Sequence, residues 1–258
     1  MNFIVTSPTK IPKIINYCWF GGQEKPESVI NCIESWKKFC PEYKLVEWNE
    51  ANYDISKKNI YVQQAANRQK WAFVTDYARL DILFNNGGLY FDTDVELIRS
   101  PETLLENTTF FGLENVLAVN TGIGCGSIKG APVLKKLMVI YDNSYFVNKE
   151  GKANYRTCVE IATNELINYG LKPINETQRI EVEDRDVMIY STDFFCPQLY
   201  HSKKINLTKN TYSIHHYNAS WQSKTQRILS PIKTSIRKLI DKFFGIGSYE
   251  KLKSFIRN

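Results

Sequence analysis

The 258-residue chain has no run of about 18 continuous apolar residues, so the sequence offers no membrane-spanning helix. The opening MNFIVTSPTKIPKIINYCWF lacks a basic stretch followed by a long apolar one. No secretory leader is expected from it, and a cytoplasmic setting is the expectation. Cysteine is present six times but never as C-x-x-C. That spacing excludes zinc sites of the paired-cysteine type and points to free thiols in a reducing compartment. No G-x-x-x-x-G-K-[ST] run occurs, which excludes a phosphate loop of that kind. There is no internal repeat, no low-complexity tract and no interdomain linker. Histidine is scarce: there are three, and two of them, His215 and His216, are adjacent.

Apolar residues make up 43% of the chain and aromatics 13%, enough for a sizeable core and too much for global disorder. The formal net charge of +6 is not evenly spread. From Lys224 to Asn258, nine Lys or Arg stand against Asp241 and Glu250, so that segment alone carries +7. The remainder is near neutral. A local partner for the tail is implied, and a general nucleic-acid-binding surface is not.

Residues 11–20, IPKIINYCWF, read as an opening strand, 26–39 as a helix, and KLVEWNE as a second strand. Strand, helix, strand in that order predicts an α/β fold with parallel pairing. Between 61 and 86, apolar residues recur at three- and four-residue steps, which predicts one long helix stopped by Asn85-Asn86-Gly87-Gly88. A short buried strand LYF and a further one at VELI follow, separated by Asp92-Thr93-Asp94. Short extended pieces are expected over 109–128, helices from Pro132 to Tyr141 and over 154–169, and mostly strand and loop over 180–223.

Within the long helix, Asp76 and Arg79 are three apart and share a face. Charges beside an apolar stripe either pair with each other or serve a ligand. Asp92 and Asp94, two apart after a strand, can converge on one hard divalent cation such as Mg²⁺ or Mn²⁺. Ligands of open α/β sheets sit outside the carboxyl ends of the strands. Alone, D-x-D is equally a solvated acidic turn. Asn120-Thr121-Gly122 precede the turn GIGCG, whose glycines permit either a close backbone approach to a ligand or merely a tight turn.

The stretch from Trp71 to Glu96, with Asp76, Arg79, Asp92 and Asp94, resembles the sugar-binding region of the DXD-containing glycosyltransferases. Those include yeast initiation-type α-mannosyltransferases and bacterial capsule enzymes, with the glucosylating domain of large clostridial toxins as a more distant relative. IPKIINYCWFGG is similar to the family's opening strand, and HHYNASW, at 215–221, to its closing motif. The resemblance implies a GT-A type fold: a single nucleotide-binding α/β domain with a mixed central sheet, here expected over residues 1–223. It implies that Trp19 lies against the nucleobase and that Asp76 and Arg79 contact the donor sugar and its phosphate side. Asp92 would meet the ribose and the ion, and Asp94 would be the main protein ligand of Mn²⁺ or Mg²⁺. His215, preferred to His216, would approach the metal. Asn120 would lie near the donor sugar and acceptor; Ser220 and Trp221 match the end of the closing motif, and Trp221 would close over the diphosphate. The implied activity is metal-dependent transfer from a nucleoside diphosphate sugar, with retention, to a lipid-linked or oligosaccharide acceptor. Bacterial capsule or lipopolysaccharide synthesis is the implied setting. A toxin-like protein glycosyltransferase, a non-catalytic sugar-nucleotide-binding protein and a metal-dependent phosphohydrolase are the competing readings.

Residues 224–258 form a basic segment with helical amphipathic spacing. Ile232, Ile236, Leu239, Ile240 and Phe243 mark one face, and Lys233, Arg237, Lys238 and Lys242 much of the rest. Two placements compete: an interfacial helix on an anionic membrane, and a terminal helix packed on the domain. The first implies a peripheral position on the inner face of the cell membrane.

Overall fold

A computed structural model of the chain describes residues 10–198 and 204–217. The described part is mixed α/β. Strand β1 (Ile14–Cys18) enters the core directly. Helix α1 (Glu27–Phe39) follows Pro26, with Glu27 in its first turn and Lys37 and Lys38 in its last, matching the helix dipole at both ends. Its buried stripe is Val29, Cys32, Ile33 and Trp36. Strand β2 (Lys44–Trp48) then pairs parallel to β1, as strand–helix–strand order predicts.

The long helix expected over 61–86 is two helices. α2 (Ile60–Asn67) ends, and α3 (Trp71–Asn86) begins after a break at Arg68–Lys70. Gln69 takes a left-handed φ of 53°, and Lys70 donates its N–H back to the Ala65 carbonyl at 2.9 Å. This closes α2 as a left-handed C-terminal turn does. Periodicity missed the break because Ala65 and Phe73, on either side of it, are both buried in the same core.

Strand β3 (Gly88–Tyr90) pairs parallel to β1 on the side away from β2. It must lie very close: a Cβ on Gly88 would sit 2.7 Å from the Ile14 carbonyl oxygen, at a φ of 107°. Buried Asn16 secures the junction. Its amide donates to the Gly87 and Leu89 carbonyls, both at 3.2 Å, while its oxygen accepts from the Trp48 indole at 2.9 Å.

The chain continues through β4 (Val95–Leu97), β5 (Thr109–Asn115), β6 (Ala118–Asn120) and β7 (Cys125–Ser127). Helices α4 (Pro132–Asp142) and α5 (Cys158–Ile167) follow. Then come β8 (Gln178–Val182), β9 (Arg185–Tyr190), the single turn α6 (Thr192–Phe195) and β10 (Ser213–His215). The main sheet runs β2-β1-β3-β7-β5-β9-β8, with β6 attached to β5. It is mixed: β1 is parallel to both neighbours and β5 is parallel to β9, while β7 runs antiparallel to β3 and β5. A second, two-stranded sheet pairs β4 with β10 antiparallel. α1 is latched to it by the fully buried Trp36, whose indole N–H donates to the Val95 carbonyl at 2.8 Å.

All six cysteines are free thiols. Among the described residues no helix is long and apolar enough to cross a membrane. The expected boundary at 223/224 and the basic tail lie outside the described residues.

Candidate active site

The site gathers just past the carboxyl ends of β1 and β3, where α/β sheets bind ligands. After β3 the chain leaves the sheet through Phe91 and Asp92. The Asp92 N–H donates to the Gly122 carbonyl at 2.8 Å, and the Asp92 carbonyl accepts from Val95 N–H at 3.0 Å. These two bonds fix the D-x-D turn at its first residue.

Arg79 of α3 is the centre. Its side chain is only 4% exposed and lies between two carboxylates, Asp76 at 3.2 Å and Asp92 at 3.1 Å. The first contact is the i, i+3 pair visible in the sequence. The second is tertiary. Nη1 also reaches the Thr121 hydroxyl at 3.3 Å, and the guanidinium carbon stands 5.2 Å from the Tyr90 ring centre. The Tyr90 hydroxyl donates to Asp92 Oδ1 at 3.1 Å.

One guanidinium thus serves two carboxylates, and the two do not fare equally. Burial pushes the Asp76 carboxyl up to about 6; Arg79 opposes this, and the neighbouring Asp92 charge adds to it. Burial works against the Arg79 charge too, but Asp92 and the weaker contributions of its other neighbours, Asp76 among them, together outweigh it, and the guanidinium pKa lies well above its usual value. The Asp76–Arg79 pair is therefore an uneven one: the cation is held charged chiefly by Asp92, and Asp76 is a carboxylate short of stabilisation. Cys158, the first residue of α5, relieves part of that: its thiol and its backbone N–H both favour the ionised form of Asp76. Its Sγ also lies 3.6 Å from Arg79 Nη1.

Asp94 points to the small sheet. Its Oδ1 lies 3.3 Å from His215 Nε2, and its side chain is 18% exposed. Burial opposes a charge on His215, but Asp94 and Cys196 hold its pKa up, to about 10. The neighbouring His216 faces elsewhere. Its ring nitrogen meets Glu96 at 2.8 Å and its backbone N–H donates to the Asp94 carbonyl at 2.9 Å. The antiparallel register of β10 on β4 makes this division, with His215 opposite Val95.

Gly122 explains why the centre is so tight. A Cβ there would lie 1.9 Å from Asp92 Oδ2 and 2.6 Å from Arg79 Nη1. Asn120 holds the same turn: its Oδ1 accepts from Gly122 N–H, and its amide donates to Glu114, both at 2.7 Å. One amide hydrogen of Asn120 remains for a ligand. Trp19 is half-buried at the other side of β1. Its indole N–H donates to the Gln23 carbonyl at 2.6 Å, and the Lys25 ammonium stands 5.7 Å from its ring centre. Ser220 and Trp221 lie outside the described residues.

Sequence reasoning did not single out Cys158, Tyr90 or Glu114. Tyr90 sits two residues before Asp92 in the same motif and could have been found there. Cys158 and Glu114 reach the site only through tertiary packing.

Among the described residues no three His, Cys, Asp or Glu side chains form a ready cation cage. The donor chemistry still fits Mg²⁺ or Mn²⁺, which take one or two carboxylates and complete their shell with substrate phosphates and water. Asp92 and Asp94 supply such carboxylates. His215 Nδ1 is buried and has no hydrogen-bond partner among the described residues.

Residues 26–111 match the family model described as a glycosyltransferase sugar-binding region containing DXD motif. The chain carries the sugar-binding region of the DXD glycosyltransferases. By that domain it is a transferase. The matched region contains Asp76, Arg79, Asp92 and Asp94. No curated protein sequence matches the chain. Among solved structures, a PaToxG glycosyltransferase is similar at 20% identity, over 62% of this chain and 70% of that one, with a TM-score of 0.48. The galactosyltransferase LgtC, in complex with donor and acceptor sugar analogues, is similar at 12% identity over 80% and 87%, with a TM-score of 0.41. A glycosyltransferase involved in glycosylation of the major capsid of PBCV-1 is similar at 11% identity over 70% and 83%, with a TM-score of 0.38.

Proposed function

We propose that this glycosyltransferase moves a hexose or N-acetylhexosamine from a nucleoside diphosphate sugar, UDP-linked, to a hydroxyl of a glycan acceptor. The observation that carries this is the buried Arg79 between Asp76 and Asp92, with Asp94 following on the same turn. A guanidinium so held is a fixed cation, and its planar donor fork suits phosphate oxygens. Asp76, carrying excess negative charge in a buried place, accepts from sugar hydroxyls. A divalent cation at Asp92 and Asp94 supplies charge neutralisation at the departing diphosphate. The side chains themselves bind, orient and stabilise charge, and none is assigned as a covalent nucleophile. Transfer is electrostatic in character; attack on the same face as departure, with retention of configuration, is what the family resemblance implies. Trp19 supports the base, and Asn120 the sugar.

Calorimetric titration with UDP and GDP, each with and without Mn²⁺, tests the reading. Tight UDP binding that depends on metal is expected. Metal-independent binding of both nucleotides, or of neither, would sink it.

The setting we propose is capsule or lipopolysaccharide O-antigen synthesis, at the cytoplasmic face of the cell membrane. The support is the +7 segment from Lys224 to Asn258 with its apolar spacing. Co-sedimentation with anionic liposomes should be lost on removing residues after Ser230. Equal binding by the shortened chain counts against it.

A further inference from the structure

The loop entering α5 carries an aromatic ring that the donor side does not use. Tyr155 is 53% exposed, yet its ring is not free to swing. It stands edge-on to two buried rings, 5.7 Å from Phe73 at 62° and 6.1 Å from Phe146 at 87°. Those two rings are themselves 5.1 Å apart. The backbone on each side is also held. Asn154 N–H donates to the Phe146 carbonyl at 2.7 Å, and Asn154 Oδ1 accepts from Arg156 N–H at 3.0 Å. The Thr157 hydroxyl then caps α5 by accepting from Glu160 N–H at 3.2 Å.

The same loop leads straight to the site. Three residues on, Cys158 Sγ lies 3.6 Å from Arg79 Nη1. Phe73, which supports the Tyr155 ring, lies three residues before Asp76 on the same helix. Ring and catalytic cluster are thus carried by two rigid pieces, α3 and the start of α5. A half-exposed ring fixed from beneath offers a flat apolar face with a phenol at its edge. A pyranose has a matching C–H face and peripheral hydroxyls. Ordering cost is low because the ring is already in place.

We propose that Tyr155 is the stacking platform for a sugar ring of the acceptor. The assignment rests on the proposed function, since it needs a transfer site beside it. Saturation-transfer NMR with the methyl pyranosides of glucose, galactose, mannose and N-acetylglucosamine tests it on the full chain, in UDP with Mg²⁺ and again without nucleotide. At least one pyranoside should give a signal. Tyr155→Ala should weaken that signal roughly five-fold, Tyr155→Phe should keep it, and UDP affinity should be the same in all three proteins. An equal signal in Tyr155→Ala, no signal in the unaltered chain, or UDP affinity lost with the tyrosine would each overturn the platform. Absence of UDP binding in the unaltered chain would instead overturn the donor reading, and the nucleotide-free comparison would still decide whether Tyr155 holds a pyranose.

Discussion

Asp94→Asn is expected to lower sugar transfer by about a thousandfold while leaving the melting temperature nearly unchanged. The asparagine oxygen can still accept from His215 Nε2, so the fold survives loss of this carboxylate, and what His215 loses is the charge that holds its pKa up. The turn is fixed by the backbone of Asp92, and β4 is fixed by Trp36 and by β10. Even the Asp94 contact to His216 uses the main-chain carbonyl, which asparagine retains. What the substitution removes is a negative charge at the open end of the site, where the side chain is partly exposed. Asparagine is a neutral, weaker oxygen donor for a hard cation. The enhancement of UDP affinity by Mn²⁺ should therefore disappear along with transfer. Assay of donor turnover with and without Mn²⁺ reads both, and transfer at the unaltered rate would remove Asp94 from the metal site.

Gly122→Ala should separate folding from function in a different way. The added methyl would collide with the Asp92 carboxylate and with Arg79 Nη1, both of them side-chain atoms and not backbone. The backbone bonds of the turn, from Gly122 N–H to Asn120 and from Asp92 N–H to Gly122, need not break. Relief therefore comes by pushing Asp92 and Arg79 apart, at a stability cost of about 1–3 kcal/mol. The Arg79–Asp92 contact is lost, and donor-side geometry shifts by about an ångström, enough to reduce kcat/KM roughly a hundredfold. A thermal melt combined with kcat/KM for the donor measures this. A folded variant with unaltered kcat/KM would show that close approach of Asp92 to Arg79 has no role in transfer.

These two positions also show how far the sequence reaches. Asp76 and Arg79 could be paired from helical spacing alone, because i, i+3 neighbours meet whatever surrounds them. Arg79 and Asp92 could not, since their contact requires β3 to pack beside α3 and Gly122 to lie under both. The glycine in Asn120-Thr121-Gly122 allowed a ligand-facing turn or a plain one. The structure gives a third use, room for two side chains of the site itself. Adjacent histidines had to face opposite ways on a strand, but only the register of β10 on β4 turns His215 to Asp94. Parallel pairing of β1 and β2 followed from strand, helix, strand. The insertion of antiparallel β7 between β3 and β5 left no periodic trace, because its three residues are all buried.

Asp92 and Asp94 are two residues apart but belong to different supports. Asp92 is tied by its backbone to Gly122, on the turn leading into β7 of the main sheet. Asp94 adjoins β4 of the small sheet and faces His215 of β10. Thr93 is the seam. The motif therefore works as a pair of caliper jaws, each mounted on its own plate, and any shear of one plate against the other changes the gap between the two carboxylates. Packing at Trp36, whose indole holds the carbonyl of the residue after Asp94, sets the rest position of one jaw.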